Sequence, residues 1–189
     1  MDEIQLLSGI MAKTGDLVAG VPAGGGDRPT PCPDYDVADM VHHLVGWVRS
    51  FDAAAHGRSF EGDPSVVEVG DDPAAQFRAS ADSLVAGWRQ HGFDREVALM
   101  GGPQPAELVF NMTVMEYITH GWDLAVATGQ PVPYSEAEAA EVLRRAESTL
   151  PSQYRGEGMP FGDIVPVPED APVIDRLAGF MGRDPAAAR

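Results

Sequence analysis

Glu116 and His120 stand four residues apart in VFNMTVMEYITHGWDLAVA, a segment that is otherwise almost wholly apolar. If this segment is a helix, that spacing brings both side chains onto one face, ~6 Å apart along the axis. Two ligating side chains one turn apart can grip a single metal ion. Burying a carboxylate and an imidazole without partners is expensive, and a shared cation would satisfy both. The pair could also satisfy each other, or an arginine, and spacing alone does not choose between these readings.

A third ligand must come from another helix. In VADMVHHLVGWVRSF the apolar stripe centres between Leu44 and Val48. His43 falls about 100° from that centre, at the flank of the core face, whereas His42 falls near the opposite side and should face water. His43 is therefore the better candidate. Two imidazoles and one carboxylate leave a tetrahedral zinc ion with one open position, the mark of a catalytic rather than a structural site. Asp123, one turn past His120, is either an acceptor for an imidazole N–H, or an ordinary surface acid or a cap for a neighbouring loop. Cys32, in TPCPDYD, reads more readily as a small buried filler than as a thiol at the site. Trp47, Trp88 and Trp122 read as core, and Glu136, Glu138 and Glu141 as a solvated acidic helix face.

The elements that would position these groups are legible from periodicity. A first helix is expected over residues 3–19. A Gly- and Pro-rich run over 21–36 then breaks the pattern. Asp36 is a plausible N-cap for a second helix, 37–56. A third, 73–90, opens on Pro73 in its first turn. Residues 96–100 are expected to be extended, before a turn at Gly101–Pro103. The fourth helix, 105–127, is apolar on most sides and needs neighbours all round. Ser135 and Glu138 form a capping box for a fifth, 136–149. The remainder, 151–189, is Pro- and Gly-rich; it includes Pro160 and one short apolar helix, 172–181. The expected organisation is a helical domain over 1–150 with a tail, 151–189, that packs on it. No βαβ alternation, P-loop, G-x-S-x-G or CxxC motif is present.

Composition narrows the function. The 189 residues carry a formal net charge of −16, which repels nucleic acid and anionic membranes. No apolar run is long enough to span a bilayer, and the N-terminus, MDEIQLL, is acidic where a secretory signal is basic. One cysteine excludes an internal disulfide and a cysteine-based zinc cluster, and the expected compartment is the cytoplasm. Lys13 is the only lysine, near the start of the chain, so Schiff-base chemistry is not expected.

TPCPDYDVADMVHHLVG, followed much later by MEYITHGWDLAVATGQ, resembles the DinB/YfiT-like superfamily of metal-binding helical bundles. Within that superfamily it resembles the branch formed by the N-terminal domain of mycothiol-dependent maleylpyruvate isomerase and its actinobacterial relatives. The resemblance runs from about residue 5 to 185. It implies an all-α, up-down-down-up four-helix bundle, here with an extra helix and a Pro/Gly-rich tail. It further implies one divalent ion, zinc in the first place and nickel as the alternative, held by His43, Glu116 and His120. Mycothiol is implied as the thiol cosubstrate, activated by the ion. The expected partners are thus a small-molecule thiol and an electrophilic substrate, with a homodimer as the candidate assembly. The isomerase carries a further C-terminal domain where this chain has a short tail, so maleylpyruvate isomerization itself is not expected. A related mycothiol-dependent transferase or isomerase, a non-catalytic metal or small-molecule binder, and a purely structural polar cluster remain as readings.

Overall fold

In the computed structural model, which describes residues 2–156, 158–159 and 161–188, six α-helices account for most of the chain. They are α1 (Glu3–Ala19), α2 (Val37–Ala55), α3 (Pro73–His91), α4 (Ala106–Thr128), α5 (Glu136–Thr149) and α6 (Val173–Phe180). The boundaries match the expected ones to within a residue because their stop and start signals are local. Asp36 and Ser135 each form a reciprocal capping box, with Asp39 and Glu138. Pro73 opens α3, and Gly129 ends α4 at φ 71°. Pro160, one of the tail prolines, lies outside the described residues.

Around the core, α1 packs on α3 and α4, and α2 packs on the same two helices. α4 also carries α5 on its outer side, and α6 lies mainly on α5. This explains why α4 has no polar face. Tyr117, Ile118 and Leu124 are fully buried, as are Leu6, Ile10, Leu44, Val48, Phe77 and Leu84 around them. No helix among the described residues is long and apolar enough to cross a membrane.

One element was not expected. Residues 96–105 form an antiparallel hairpin, β1 (Glu96–Leu99) and β2 (Gly102–Pro105), instead of one extended piece and a turn. The two-residue connection uses positive φ at both positions, Met100 at 52° and Gly101 at 81°. That is the backbone twist a tight hairpin needs. Both Pro103 and Pro105 are tolerated because β2 has an open edge. The hairpin also starts α4. Pro105 offers no side-chain cap, and the Ala106 N–H donates to the Arg95 carbonyl at 2.9 Å.

The acidic face of α5 is a correction. Glu138 is buried, not solvated. It pairs with Lys13 of α1 and accepts from the Ser135 N–H at 2.7 Å, so the only lysine is committed to holding α5 against α1.

Candidate metal centre

α2 and α4 pack side by side, and their contact brings His43 to Glu116 and His120. The ligating atoms of these three side chains lie within 4.8 Å of one another. His43 Nε2 and Glu116 Oε1 are in hydrogen-bond contact, and His120 Nε2 lies 3.6 Å from the same oxygen. Tetrahedral zinc with bonds of ~2.0–2.1 Å holds its ligand atoms about 3.3 Å apart. The trio therefore fits one small divalent ion in its donor chemistry and nearly in its spacing. The imidazoles are largely covered, at 12% and 11% side-chain exposure, while Glu116 keeps 24%. The cluster thus keeps some access to solvent, most of it at Glu116. Burial pushes the Glu116 carboxyl up, but His120 and the hydrogen bond to His43 outweigh it, holding it at about 2. The carboxylate stays ionised throughout the neutral range, as a metal ligand must.

Capping sets the register of α2, and a hydrogen-bonded loop sets what faces it. Thr30 Oγ1 donates to the Tyr35 carbonyl at 2.8 Å and the Cys32 carbonyl at 3.0 Å. Val37 N–H donates to the Arg28 carbonyl, and Ala38 N–H to that of Gly26. The loop folded in this way lays Tyr35 beside the site, 4.7 Å from the His43 ring and 6.1 Å from the His120 ring, centroid to centroid. Burial, with Glu116 nearby, pushes the Tyr35 phenol up, so it remains a neutral hydrogen-bonding group. Trp47 follows one turn after His43, with ring centroids 6.0 Å apart.

Trp47 departs from the expectation of a core residue. It is only half-buried and lines a cleft of about 520 Å³ with Ser50, Phe60, Leu99, Met100 and Pro103. Trp88 and Trp122 are buried as expected. His42 is not one of the grouped ligands, but it is half-buried where water exposure was expected.

Asp123 is not a surface acid. It is fully buried, and its Oδ2 lies 3.0 Å from His120 Nδ1. A carboxylate there selects the tautomer that leaves Nε2 free to face the trio. Asp123 is also held from the tail. Arg183 Nη2 donates to Oδ2 at 2.9 Å, and Nε reaches both oxygens at 3.3 Å.

Cys32 is buried, as a filler would be, yet it also lies at the site. Its sulfur, His120 and Asp123 form a second group within 4.8 Å. The guanidinium of Arg183 already neutralises this group, which makes it a poor second cation site. Burial raises the Cys32 thiol, against the opposing pull of Arg183. Arg183 and Tyr35 are the residues that spacing could not reveal. Arg183 lies 60 residues from Asp123 in an irregular tail, with no periodicity to mark it.

A family model described as the mycothiol maleylpyruvate isomerase N-terminal domain matches residues 7–125. An uncharacterized protein of Mycobacterium tuberculosis, found in strains CDC 1551 and H37Rv, is 32% identical over 168 residues, or 88% of this chain and 90% of that one. Among solved structures, a histidine-to-alanine mutant of the mycothiol-dependent maleylpyruvate isomerase superposes with a TM-score of 0.61 at 15% identity. It covers 85% of this chain and 72% of that one. The architecture is accordingly the DinB-like fold of that isomerase.

Proposed function

Since the chain belongs to the mycothiol maleylpyruvate isomerase N-terminal-domain family, we propose that it is a divalent-metal protein that activates a low-molecular-weight thiol, mycothiol in the first place, for transfer to or isomerization of a small electrophile. His43, Glu116 and His120 would hold the ion, with zinc favoured by the two-imidazole, one-carboxylate donor set. The observation that carries the reading is the convergence of these three side chains on one point from two helices.

The ion would supply a Lewis acid at which a coordinated thiol loses its proton, giving the thiolate nucleophile at neutral pH. The chain's own residues do the rest. Asp123 keeps the proton of His120 on Nδ1, so that Nε2 presents its lone pair toward His43 and Glu116. Tyr35 and Trp47 flank the His43 ring and shield it from bulk water on two sides. Lower local dielectric strengthens the electrostatics of a bound thiolate. The cleft beside Trp47 offers room for the non-reacting part of a ligand, lined by aromatic rings and by the Ser50 hydroxyl.

Cobalt substitution tests the reading. Apo-protein titrated with Co²⁺ should bind one ion per chain, and mycothiol should then add a sulfur-to-cobalt charge-transfer band. Cobalt binding without a thiol response would leave a non-catalytic metal protein. No cobalt binding would reduce the trio to a structural polar cluster.

A further inference from the structure

We infer that Arg183 is a positioning residue of the metal centre. From the end of α6 it fixes Asp123, and through Asp123 the ring of His120, so that docking of the tail and metal binding favour each other. The inference rests on the metal-binding reading above and adds to it a residue from outside the matched domain.

The backbone around Arg183 leaves its side chain little choice. α6 ends at Phe180, Gly182 turns the chain at φ 87°, and the Arg183 N–H closes the turn on the Ala178 carbonyl at 2.9 Å. The following contacts are equally constrained. A Cβ on Gly182 would meet Gly162 Cα at 3.1 Å, and one on Gly179 would meet the Val165 carbonyl oxygen at 2.6 Å. The segment 161–167 therefore lies directly over α6 and clamps it.

From this clamped turn the guanidinium enters the interior, with 10% side-chain exposure. Nη1 donates to the Met181 carbonyl at 2.7 Å, which holds the plane of the group. Nη2 and Nε address Asp123. Asp123 Oδ2 is thus shared between Arg183 and His120 Nδ1. No water or surface position is open to this carboxylate, which is 0% exposed. Its orientation is set by Arg183 on one side and by His120 on the other.

A buried carboxylate without its guanidinium must turn to find another partner, and the His120 ring loses its fixed acceptor when that happens. The orientation of a metal ligand on α4 therefore depends on a residue of the tail. Because coupling of two binding events is reciprocal, an ion that locks the His120 ring must also favour the docked tail by the same factor.

The test uses the full chain and Co²⁺ as probe. Wild type, Arg183→Gln, Arg183→Lys and Asp123→Asn are compared by titration, by visible spectrum of the bound ion, and by hydrogen–deuterium exchange over residues 173–183. Asp123→Asn should lose about 10–100-fold in Co²⁺ affinity and Arg183→Gln about tenfold, with altered cobalt spectra. Arg183→Lys, which keeps the charge without the fork, should recover part of the loss. In wild type, Co²⁺ should slow exchange over 173–183, a reading that stands even if Arg183→Gln does not fold. A folded Arg183→Gln with wild-type affinity and spectrum would overturn the inference, as would a tail whose exchange ignores the metal. Failure of the wild type itself to bind Co²⁺ is a different result, and overturns the metal-binding reading on which the inference stands.

Discussion

Gly121→Ala should destabilise the protein strongly, although it exchanges a poor helix former for the best one. A Cβ built on Gly121 would lie 1.7 Å from the Tyr134 hydroxyl and 2.8 Å from its Cζ. Real Cβ contacts essentially never fall below 3.0 Å, so the hydroxyl must retreat by more than 1 Å. It has nowhere to go without loss, since it is bonded to Thr14 Oγ1 at 2.8 Å and to the Tyr117 carbonyl at 3.2 Å, both buried. Overpacking of this kind costs about 1–3 kcal/mol. The two hydrogen bonds add about 1 kcal/mol each, and the helix propensity of alanine returns about 1 kcal/mol. The net cost is about 3 kcal/mol, which for a chain of this size lowers Tm by about 6–12 °C. Thermal unfolding followed by circular dichroism measures it. The same substitution in a Tyr134→Phe background should cost visibly less, because the closest clash is then absent. A Gly121→Ala Tm equal to or above wild type, or a cost unchanged by Tyr134→Phe, would refute the packing argument.

His120→Ala and His43→Ala should each abolish tight Co²⁺ binding, whereas His42→Ala should bind as wild type does; equal losses in isothermal titration would disqualify the ligand choice. The Glu138 carboxyl is raised by burial, but the hydrogen bonds from Lys13 and Ser135 outweigh this and leave it below its ordinary 4.5. The stability it contributes is therefore fully present above pH 4.5 and disappears as pH falls through the lower folded value. Glu138→Gln should cost about 1–3 kcal/mol at pH 7 and flatten the acid limb of the stability curve. An unchanged acid limb in urea titrations would show that another carboxylate governs it. Cys32, buried and held as a thiol, should react with iodoacetamide far more slowly in the native protein than in urea. Equal rates would place it at the surface.

The helices and the three candidate ligands were legible because both are written in local spacing. Asp36 with Asp39 and Ser135 with Glu138 mark helix starts within four residues. Glu116 and His120 announce a shared face by a period of four, and His43 flanks a stripe that any helical wheel displays. The rest was hidden for three different reasons. The hairpin at 96–105 depends on Met100 adopting φ 52°, which no residue type announces. Glu138 looked solvated because its neighbours Glu136 and Glu141 are acidic, yet a single long-range partner, Lys13, draws it inward. Arg183 and Tyr35 reach the site from irregular segments, where sequence distance carries no geometric information.

That division has a functional consequence. The candidate ligands belong to α2 and α4, inside the matched domain, and their donor set suits zinc in every chain that keeps them. What distinguishes one such centre from another is the shell around it: which group orients His120, what stands over His43, and how wide the adjoining cleft is. Here the trio is flanked by the loop carrying Cys32 and Tyr35, by Trp47, which also lines the cleft beside the hairpin, and by the tail that supplies Arg183. The mycobacterial relatives align over 168 residues, more than the segment up to residue 125 can hold, so their likeness continues into the region of α5 and the tail. The shared unit is therefore larger than the segment that the family model matches. On the proposed function, a change of thiol or electrophile between relatives is to be sought first in the loop, the hairpin and the tail, since substitutions there can reshape the surroundings of His43, Glu116 and His120 without touching those residues.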